Sequence, residues 1–521
     1  MDDIEMTGGE ALVHTLEACG VERCFTNPGT SEMHAVAAIG RAKTLKATLC
    51  LFEGVATAAA DGYGRMALRP ACTLLHLGPG LANGLANLHN AKRARTPIVN
   101  IVGDHAVPHR TLDAPLASDL AGFARPVSQW IRSADTADEV GQATAEAVAA
   151  AQGAPGGIAT LILPADAAWT ASTSGPAAPI APQPFAAPSG EAVMAARAAL
   201  AHGAATALLL SDPVTRGEGL ELAGRIAAAT GARLFCDTFV GRLERGAGRP
   251  FIRSLPYFAE AIEEQLTGVE HLILVSTKAP VAFFAYPGRR GALTPEGASV
   301  VTLASPAHDA LEALRALADA IGVGDTEPVR ATQRRPDAPS GKLTSASIGA
   351  AIARHLPEGA IVSDEGLTNG AGVYSATAGA PPHDWLQLTG GAIGQGLPLA
   401  VGAATAAPDR KVVCIEGDGS AMYTIQALWT AAREKLDMTA VIFANRAYSI
   451  LKVELARTGA QNPGPKTLDM FDLSRPDIDF VSLARGLGVE AVRCDTAEDF
   501  ERAFSAAMRQ RGPFLIEAVM P

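Results

Sequence analysis

With 521 residues, 48% of them apolar, the chain is neither disordered nor small enough for one ordinary core, and about three domains are expected. A net charge of −11 argues against nucleic-acid binding by bulk positive charge, and seven scattered cysteines fit reduced thiols rather than a disulfide framework. The acidic start Met1–Glu5 is no signal peptide and no uncharged apolar run could span a bilayer, so a soluble cytoplasmic protein is expected.

The first segment with chemical potential is Asn27-Pro28-Gly29-Thr30-Ser31-Glu32. As plain structure it is a turn into a helix, with Thr30 or Ser31 as N-cap. An apolar strand over 48–52 then leads into Glu53-Gly54-Val55-Ala56-Thr57-Ala58-Ala59-Ala60-Asp61-Gly62-Tyr63. Glu53 lies between that strand and a run of small residues. A carboxyl in apolar surroundings can exchange protons near neutral pH. A helix-start glutamate favoured by the helix dipole explains the same position. The strand over 71–75 ends at His76, and Leu77-Gly78-Pro79-Gly80-Leu81-Ala82-Asn83-Gly84 is predicted to open a helix. Its glycines are spaced GxGxxxG, not the GxGxxG of a dinucleotide fingerprint. His76 reads either as a catalytic imidazole or as a satisfied structural residue. Another strand is predicted over 98–102.

Residues 171–190 are proline-rich and uncharged, the composition of an extended linker. A second linker runs over 322–341, with Pro328, Pro336 and Pro339. Together they divide the chain into blocks 1–170, 191–321 and 342–521. Strands are predicted at 207–210 and 272–275 in the middle block, and near 361, 412, 440 and 514–518 in the last. Strands alternating with helices argue for α/β architecture, with three doubly wound parallel sheets.

In the last block, Thr389-Gly390-Gly391-Ala392-Ile393-Gly394-Gln395-Gly396-Leu397-Pro398 is a turn that a ligand could approach closely, with Ile393 its one bulky group before Leu397. The apolar run 412–415 leads to Glu416-Gly417-Asp418-Gly419-Ser420, and Asn445 follows Asp418 by 27 positions, at the end of the apolar run 440–444. The segment between reads as one helix, with Ile425, Leu428, Trp429, Ala432 and Leu436 on one face. A parallel βαβ unit puts Asp418 and Asn445 at the carboxyl ends of neighbouring strands, where open α/β sheets bind ligands. A carboxylate plus an amide oxygen suits Mg²⁺ that also holds phosphates. The amides of Gly419 and Ser420 would open the helix toward an anion. Without a Gly-Lys-Ser/Thr P-loop, a metal-bridged diphosphate fits better than a nucleoside triphosphate.

These five segments, in this order, resemble the thiamine-diphosphate-dependent enzymes of the benzoylformate decarboxylase, acetolactate synthase and pyruvate oxidase superfamily. The resemblance covers essentially the whole chain and is densest over 20–105 and 385–455. It implies a pyrimidine-binding domain (1–170), a central domain (191–321) and a diphosphate-binding domain (342–521). Asp418 and Asn445 match the family's metal ligands, with the carbonyl of Ala447 as a third, for Mg²⁺ or for Ca²⁺ or Mn²⁺ in its place. Gly419, Ser420, Tyr448, Ser449 and Ile450 would complete the diphosphate side. Glu53 matches the glutamate that bonds the aminopyrimidine ring and favours its imino tautomer. Ile393 matches the residue that props the cofactor in its bent shape, and the carbonyl of Gly391 would accept a hydrogen bond from the ring. The resemblance also implies a homodimer at minimum, commonly a homotetramer, because the Glu53 domain of one subunit meets the diphosphate domain of another. The central domain binds FAD in only some members, and its absence is the expectation here.

Within the superfamily, Thr30 and His76 match the serine and histidine of benzoylformate decarboxylases. Acetolactate synthases carry a Phe-Gln-Glu run where this chain has Pro115-Leu116-Ala117, and a lysine where it has Gln129. The second histidine of the decarboxylases, expected near Phe283-Phe284-Ala285-Tyr286, is missing, and His105 or His109 could substitute. Gly29, His109, Leu451 and Glu454 are expected to line the substrate side, Glu454 favouring a polar or cationic substrate. The expected activity is non-oxidative decarboxylation of a small-molecule 2-oxo acid, catalysed by Glu53, His76 and Thr30, with carboligation to a second carbonyl as a further outcome. The alternatives are an acetolactate synthase-like carboligase, a flavin- or nicotinamide-dependent oxidoreductase, and a non-catalytic homologue kept for assembly, against which the intact Glu53, Asp418 and Asn445 argue.

Overall fold

The computed structural model describes residues 6–460 and 462–520, so the acidic segment Met1–Glu5 lies outside the described residues. Three open sheets carry the architecture. The first contains β1 (Arg23–Asn27), β2 (Lys46–Leu49), β3 (Ala71–Leu75), β4 (Ile98–Asp104), β5 (Trp130–Ser133) and β6 (Ile158–Pro164), in the order β2-β1-β3-β4-β6-β5. From the middle of the chain come β7 (Thr206–Leu210), β8 (Arg233–Cys236), β9 (Leu243–Arg245), β10 (Arg253–Ser254), β11 (His271–Val275) and β12 (Ser299–Ala304). All of these except β9 form the second sheet, β10-β8-β7-β11-β12. The last strands are β13 (Ile361–Glu365), β14 (His383–Gln387), β15 (Val412–Gly417), β16 (Met438–Ala444), β17 (Glu490–Cys494) and β18 (Phe514–Val519), ordered β17-β18-β16-β15-β13-β14-β9. Every pairing is parallel except β14 with β9. The middle of the chain thus lends an antiparallel edge strand to the third sheet, a departure from the three wholly parallel sheets expected. Strands β3, β6, β7 and β16 bury every residue, as parallel strands covered on both faces must.

In each sheet one adjacent pair of strands sends its following connections to opposite sides: β1 and β3, β7 and β11, and β13 and β15. A crevice opens at the carboxyl ends of such a pair. Left-handed backbone collects at these strand ends. Leu77, Ser276, Leu367 and Arg446 all have positive φ, and each lies within two residues of a strand's carboxyl end. Non-glycine residues persist in that region only where their surroundings fix them, which is common at ligand sites.

The first and third sheets meet through helices Glu53–Ala67 and Gly396–Ala406. A Cβ at Gly62 would lie 2.0 Å from the Leu399 carbonyl oxygen, and one at Gly402 would lie 1.9 Å from that of Ala59. Only glycine permits this approach. Beside it, the buried Asp61–Arg65 pair is shared by all three parts of the chain. Arg65 donates to the carbonyls of Gly241 and Gln387, and Asp61 accepts from Thr96 and Gln395.

Two local expectations are corrected. The strand predicted over 48–52 is β2, and it ends at Leu49. The single helix predicted between Asp418 and Asn445 is two, Asp418–Thr424 and Ala427–Arg433. Thr424 turns its hydroxyl to the Gly394 carbonyl (2.9 Å) at the break, so a tertiary contact overrides the continuous apolar period. Trp429, assigned to the buried face, is only half-buried and lies under the Arg433 guanidinium.

Candidate active site

The sequence-predicted metal ligands come together. Asp418 opens its helix after β15 and is buried. Its Oδ2 accepts the Arg446 backbone N–H at 2.5 Å, and its Oδ1 accepts that of Gly419 at 2.8 Å. Asn445 follows the adjacent strand β16, and its Oδ1 accepts the N–H of Ala447 at 3.0 Å. The left-handed Arg446 bends the chain between them. Burial pushes the Asp418 carboxyl above its usual range, against these backbone hydrogen bonds. A bound cation acts in the opposite sense. One carboxylate, one amide oxygen and the Ala447 carbonyl form an all-oxygen set of the kind hard divalent cations take. No cluster of three or more His, Cys, Asp or Glu suited to a metal occurs among the described residues.

The remaining cradle residues divide. Tyr448 lays its ring on Gly419, where a Cβ would lie 2.3 Å from it. Ser420 turns its hydroxyl inward to the buried Glu416 and to the Gly417 carbonyl, so only its backbone faces the crevice. Ser449 and Ile450 begin the helix Ser449–Arg457, which buries none of its residues. Leu451 is exposed on that helix. Glu454 Oε2 accepts the hydroxyl of Tyr286, from the middle of the chain, at 2.8 Å.

The Thr389–Pro398 turn is fastened from both sides. Gly391 has φ +74°, and a Cβ there would meet nothing within 4 Å. Ile393 is half-buried beside it. Asn90 holds the N–H and carbonyl of Ala392, and Asn87 donates to the Gly394 carbonyl. Glu365, at the end of β13, accepts the N–H groups of Gly394 (2.7 Å) and Gly396 (2.5 Å). The sequence reading missed Glu365. Its signal was a buried acid at a strand end, visible as Asp364-Glu365 closing an apolar run.

On the first sheet, Glu53 is the first residue of its helix, after the N-cap Phe52. It is buried, and its Oε2 accepts Asn83 Nδ2 at 2.9 Å. Gly80 separates Glu53 from His76: a Cβ there would lie 3.3 Å from Glu53 Oε1 and 3.4 Å from His76 Cβ. His76 Nδ1 lies 2.9 Å from Oε2 of the fully buried Glu32, which also accepts the Gly29 N–H at 2.7 Å. The turn's N-cap is Gly29, not Thr30 or Ser31, because the Glu32 carboxylate takes the Gly29 N–H. Thr30 itself is exposed and makes no side-chain hydrogen bond among the described residues. The sequence reading missed Glu32 as His76's partner. His105 stands two residues past β4's Gly103, its Nε2 buried without a hydrogen-bond partner, with the exposed His109 ring 5.2 Å away. Gly78 and Gly84 face Ser118 and Thr57 closely, so the GxGxxxG spacing serves helix packing.

Residues 6–122 match the family description "Thiamine pyrophosphate enzyme, N-terminal TPP binding domain", and residues 370–518 match its C-terminal TPP binding domain. The "Putative acetolactate synthase large subunit IlvX" of Mycobacterium tuberculosis is 54% identical over 517 residues, 99% of each chain. Benzoylformate decarboxylase of Pseudomonas aeruginosa is 29% identical over 532 residues, 97% of each. Among solved structures, the thiamine diphosphate-dependent 4-hydroxybenzoylformate decarboxylase of Rhodococcus jostii RHA1 superposes with a TM-score of 0.85 at 25% identity, covering 99% of both chains. The chain belongs to the thiamine pyrophosphate enzymes, related to benzoylformate decarboxylase and to the acetolactate synthases alike.

Proposed function

We propose that the protein decarboxylates a 2-oxo acid without oxidation, using thiamine diphosphate and Mg²⁺. The observation that carries this reading is the His76–Gly80–Glu53 arrangement, which puts an imidazole and a buried carboxyl side by side at the first sheet's crevice. Asp418, Asn445 and the Ala447 carbonyl would hold the cation, and Tyr448 would cover the diphosphate. The open Gly391 and the half-buried Ile393 would receive the rings. When bound, thiamine diphosphate supplies the carbanion chemistry that lets CO₂ leave. Glu53 Oε1, left free by Asn83, would hold the proton exchanged with the aminopyrimidine. His76 Nε2 would exchange protons on the substrate side. Gly29 keeps room for the His76 ring, since a Cβ there would lie 2.2 Å from it. Two copies of the chain, at minimum, would complete each site.

Carbon dioxide release from a panel of 2-oxo acids, with the cofactor and Mg²⁺ supplied, tests the proposal. Cofactor-dependent release from at least one acid is expected, and release from none would sink it. A second reading, acetolactate synthase-like carboligation, is favoured by the name of the relative that is 54% identical over nearly the whole chain. Product analysis with pyruvate separates the two, because a carboligase yields acetolactate and a decarboxylase acetaldehyde.

We further propose that the middle sheet holds no FAD. Its crevice, between β7 and β11, is filled by the chain itself. Asp212 accepts the N–H groups of Gly241 (2.6 Å) and Arg242 (3.2 Å), and Arg95 donates to Ser276 and the Asp212 carbonyl. Thr277 donates to Asp237, whose carboxyl is pushed up to about 6 by burial. Two acidic side chains at this point disfavour a pyrophosphate. The purified protein should show no flavin absorbance.

A further inference from the structure

His76 is held by one side chain, and that side chain is unusual. Glu32 lies three residues beyond Gly29, on the turn after β1, while His76 follows β3, the neighbouring strand. Glu32 is fully buried, and its Oε2 meets both His76 Nδ1 and the Gly29 N–H. Its Oε1 has no hydrogen-bond partner. That oxygen is wedged against β4, where a Cβ at Gly103 would lie 1.7 Å from it. A carboxylate taken wholly out of water costs several kcal/mol unless an opposite charge or strong donors answer it. The helix cap alone does not need this, because an exposed capping-box acid serves as well.

We propose that Glu32 is the positioning residue for His76. Its carboxylate takes the Nδ1 proton, fixes the ring, and leaves Nε2 as the atom that exchanges protons with substrate. The inference rests on the substrate-side role assigned to His76 above. The sense of the coupling follows from the geometry. With Nδ1–H donating to a carboxylate at 2.9 Å, the neutral ring keeps one tautomer and presents Nε2 as its proton acceptor. Burial raises the Glu32 carboxyl, and His76 works against that shift. The other charged groups around the pair are less direct. Glu53 stands across Gly80 from His76. Asp104, at the end of β4, is engaged by Arg110 at 2.7 Å, and His105 follows it. Glu32 is therefore the group in direct contact, and its removal should dominate the response.

The test uses the holoenzyme with its best 2-oxo acid and carbon-13-labelled histidine. The His76 tautomer, from its ring carbon shifts, is read in wild type, Glu32→Gln and Glu32→Asp, and kcat/KM in these three and in His76→Ala. Glu32→Gln should leave the His76 ring in a mixture of tautomers and lower kcat/KM about tenfold. Glu32→Asp keeps the charge but retracts it by one methylene, and should fall between. Should Glu32→Gln fail to fold, Glu32→Asp carries the comparison. If His76→Ala loses activity while both Glu32 variants keep the wild-type tautomer and kcat/KM, the positioning role is overturned and the His76 reading survives. Undiminished turnover in His76→Ala would overturn the His76 reading, and this inference with it.

Discussion

The two sides of the proposed cation loop are built in opposite ways. Before it, the helix Asp418–Thr424 buries five of its residues, Asp418, Gly419, Ser420, Ala421 and Thr424, and Ser420 is tied into the acids beneath. After it, no described residue from Asn445 to Asp479 is buried. That second stretch leaves and rejoins the body at a narrow neck, where Tyr448 N–H donates to the Phe471 carbonyl and Leu473 N–H to that of Arg446. Its tip is held to the middle of the chain by polar contacts, Glu454 with Tyr286 and Arg457 with Glu260. The difference separates two tasks. The side facing the proposed diphosphate is fixed by burial. The side facing the proposed substrate is surface-held and free to vary without unfolding the core.

The largest effect should come from the fixed side. Asp418→Ala removes the one carboxylate of the cation set, and calorimetric titration should show cofactor affinity falling at least about 100-fold. A fall no larger than that caused by a change in the surface stretch would break the comparison. Next in size is Ser420→Ala, which leaves the Glu416 carboxyl buried without its hydroxyl partner. Urea unfolding should register a loss of about 1–3 kcal/mol. Unchanged stability would mean that the acids beneath the cradle do not brace it.

The surface stretch should give the smallest effect. Arg457→Ala frees its tip, and should speed proteolysis within 446–479 while changing global stability by under about 1 kcal/mol. The same latch has a pH signature. Arg457 holds the Glu260 carboxyl down to about 2, from an ordinary value of 4.5. A depressed carboxyl stabilises above its unfolded value and loses that contribution as pH falls through the folded one. Proteolysis of the stretch should therefore accelerate between about pH 4.5 and 2 in wild type, and show no such step in Arg457→Ala.

This contrast also explains what the sequence revealed. Asp418 and Asn445 were legible because one βαβ unit spaces them, and strand ends are local events. Glu53 was legible as an acid between a strand and small residues. Glu32 was not, because its partner His76 is 44 residues away and Glu32 alone resembles a capping acid. The break at Thr424 was hidden by an apolar period that runs through it. Strand β9 has three residues and no pattern, and exists because β14 offers it an edge. The contact of Glu454 with Tyr286, 168 residues away, has no local trace.

The central claim is that this chain binds thiamine diphosphate and activates it through Glu53. Exchange of the cofactor's C2 proton for deuterium, followed by NMR with Mg²⁺ present and no substrate, tests it most directly. Wild type should accelerate the exchange strongly over free cofactor, and Glu53→Gln should bind the cofactor yet lose most of that acceleration. Exchange in Glu53→Gln as fast as in wild type would contradict the account.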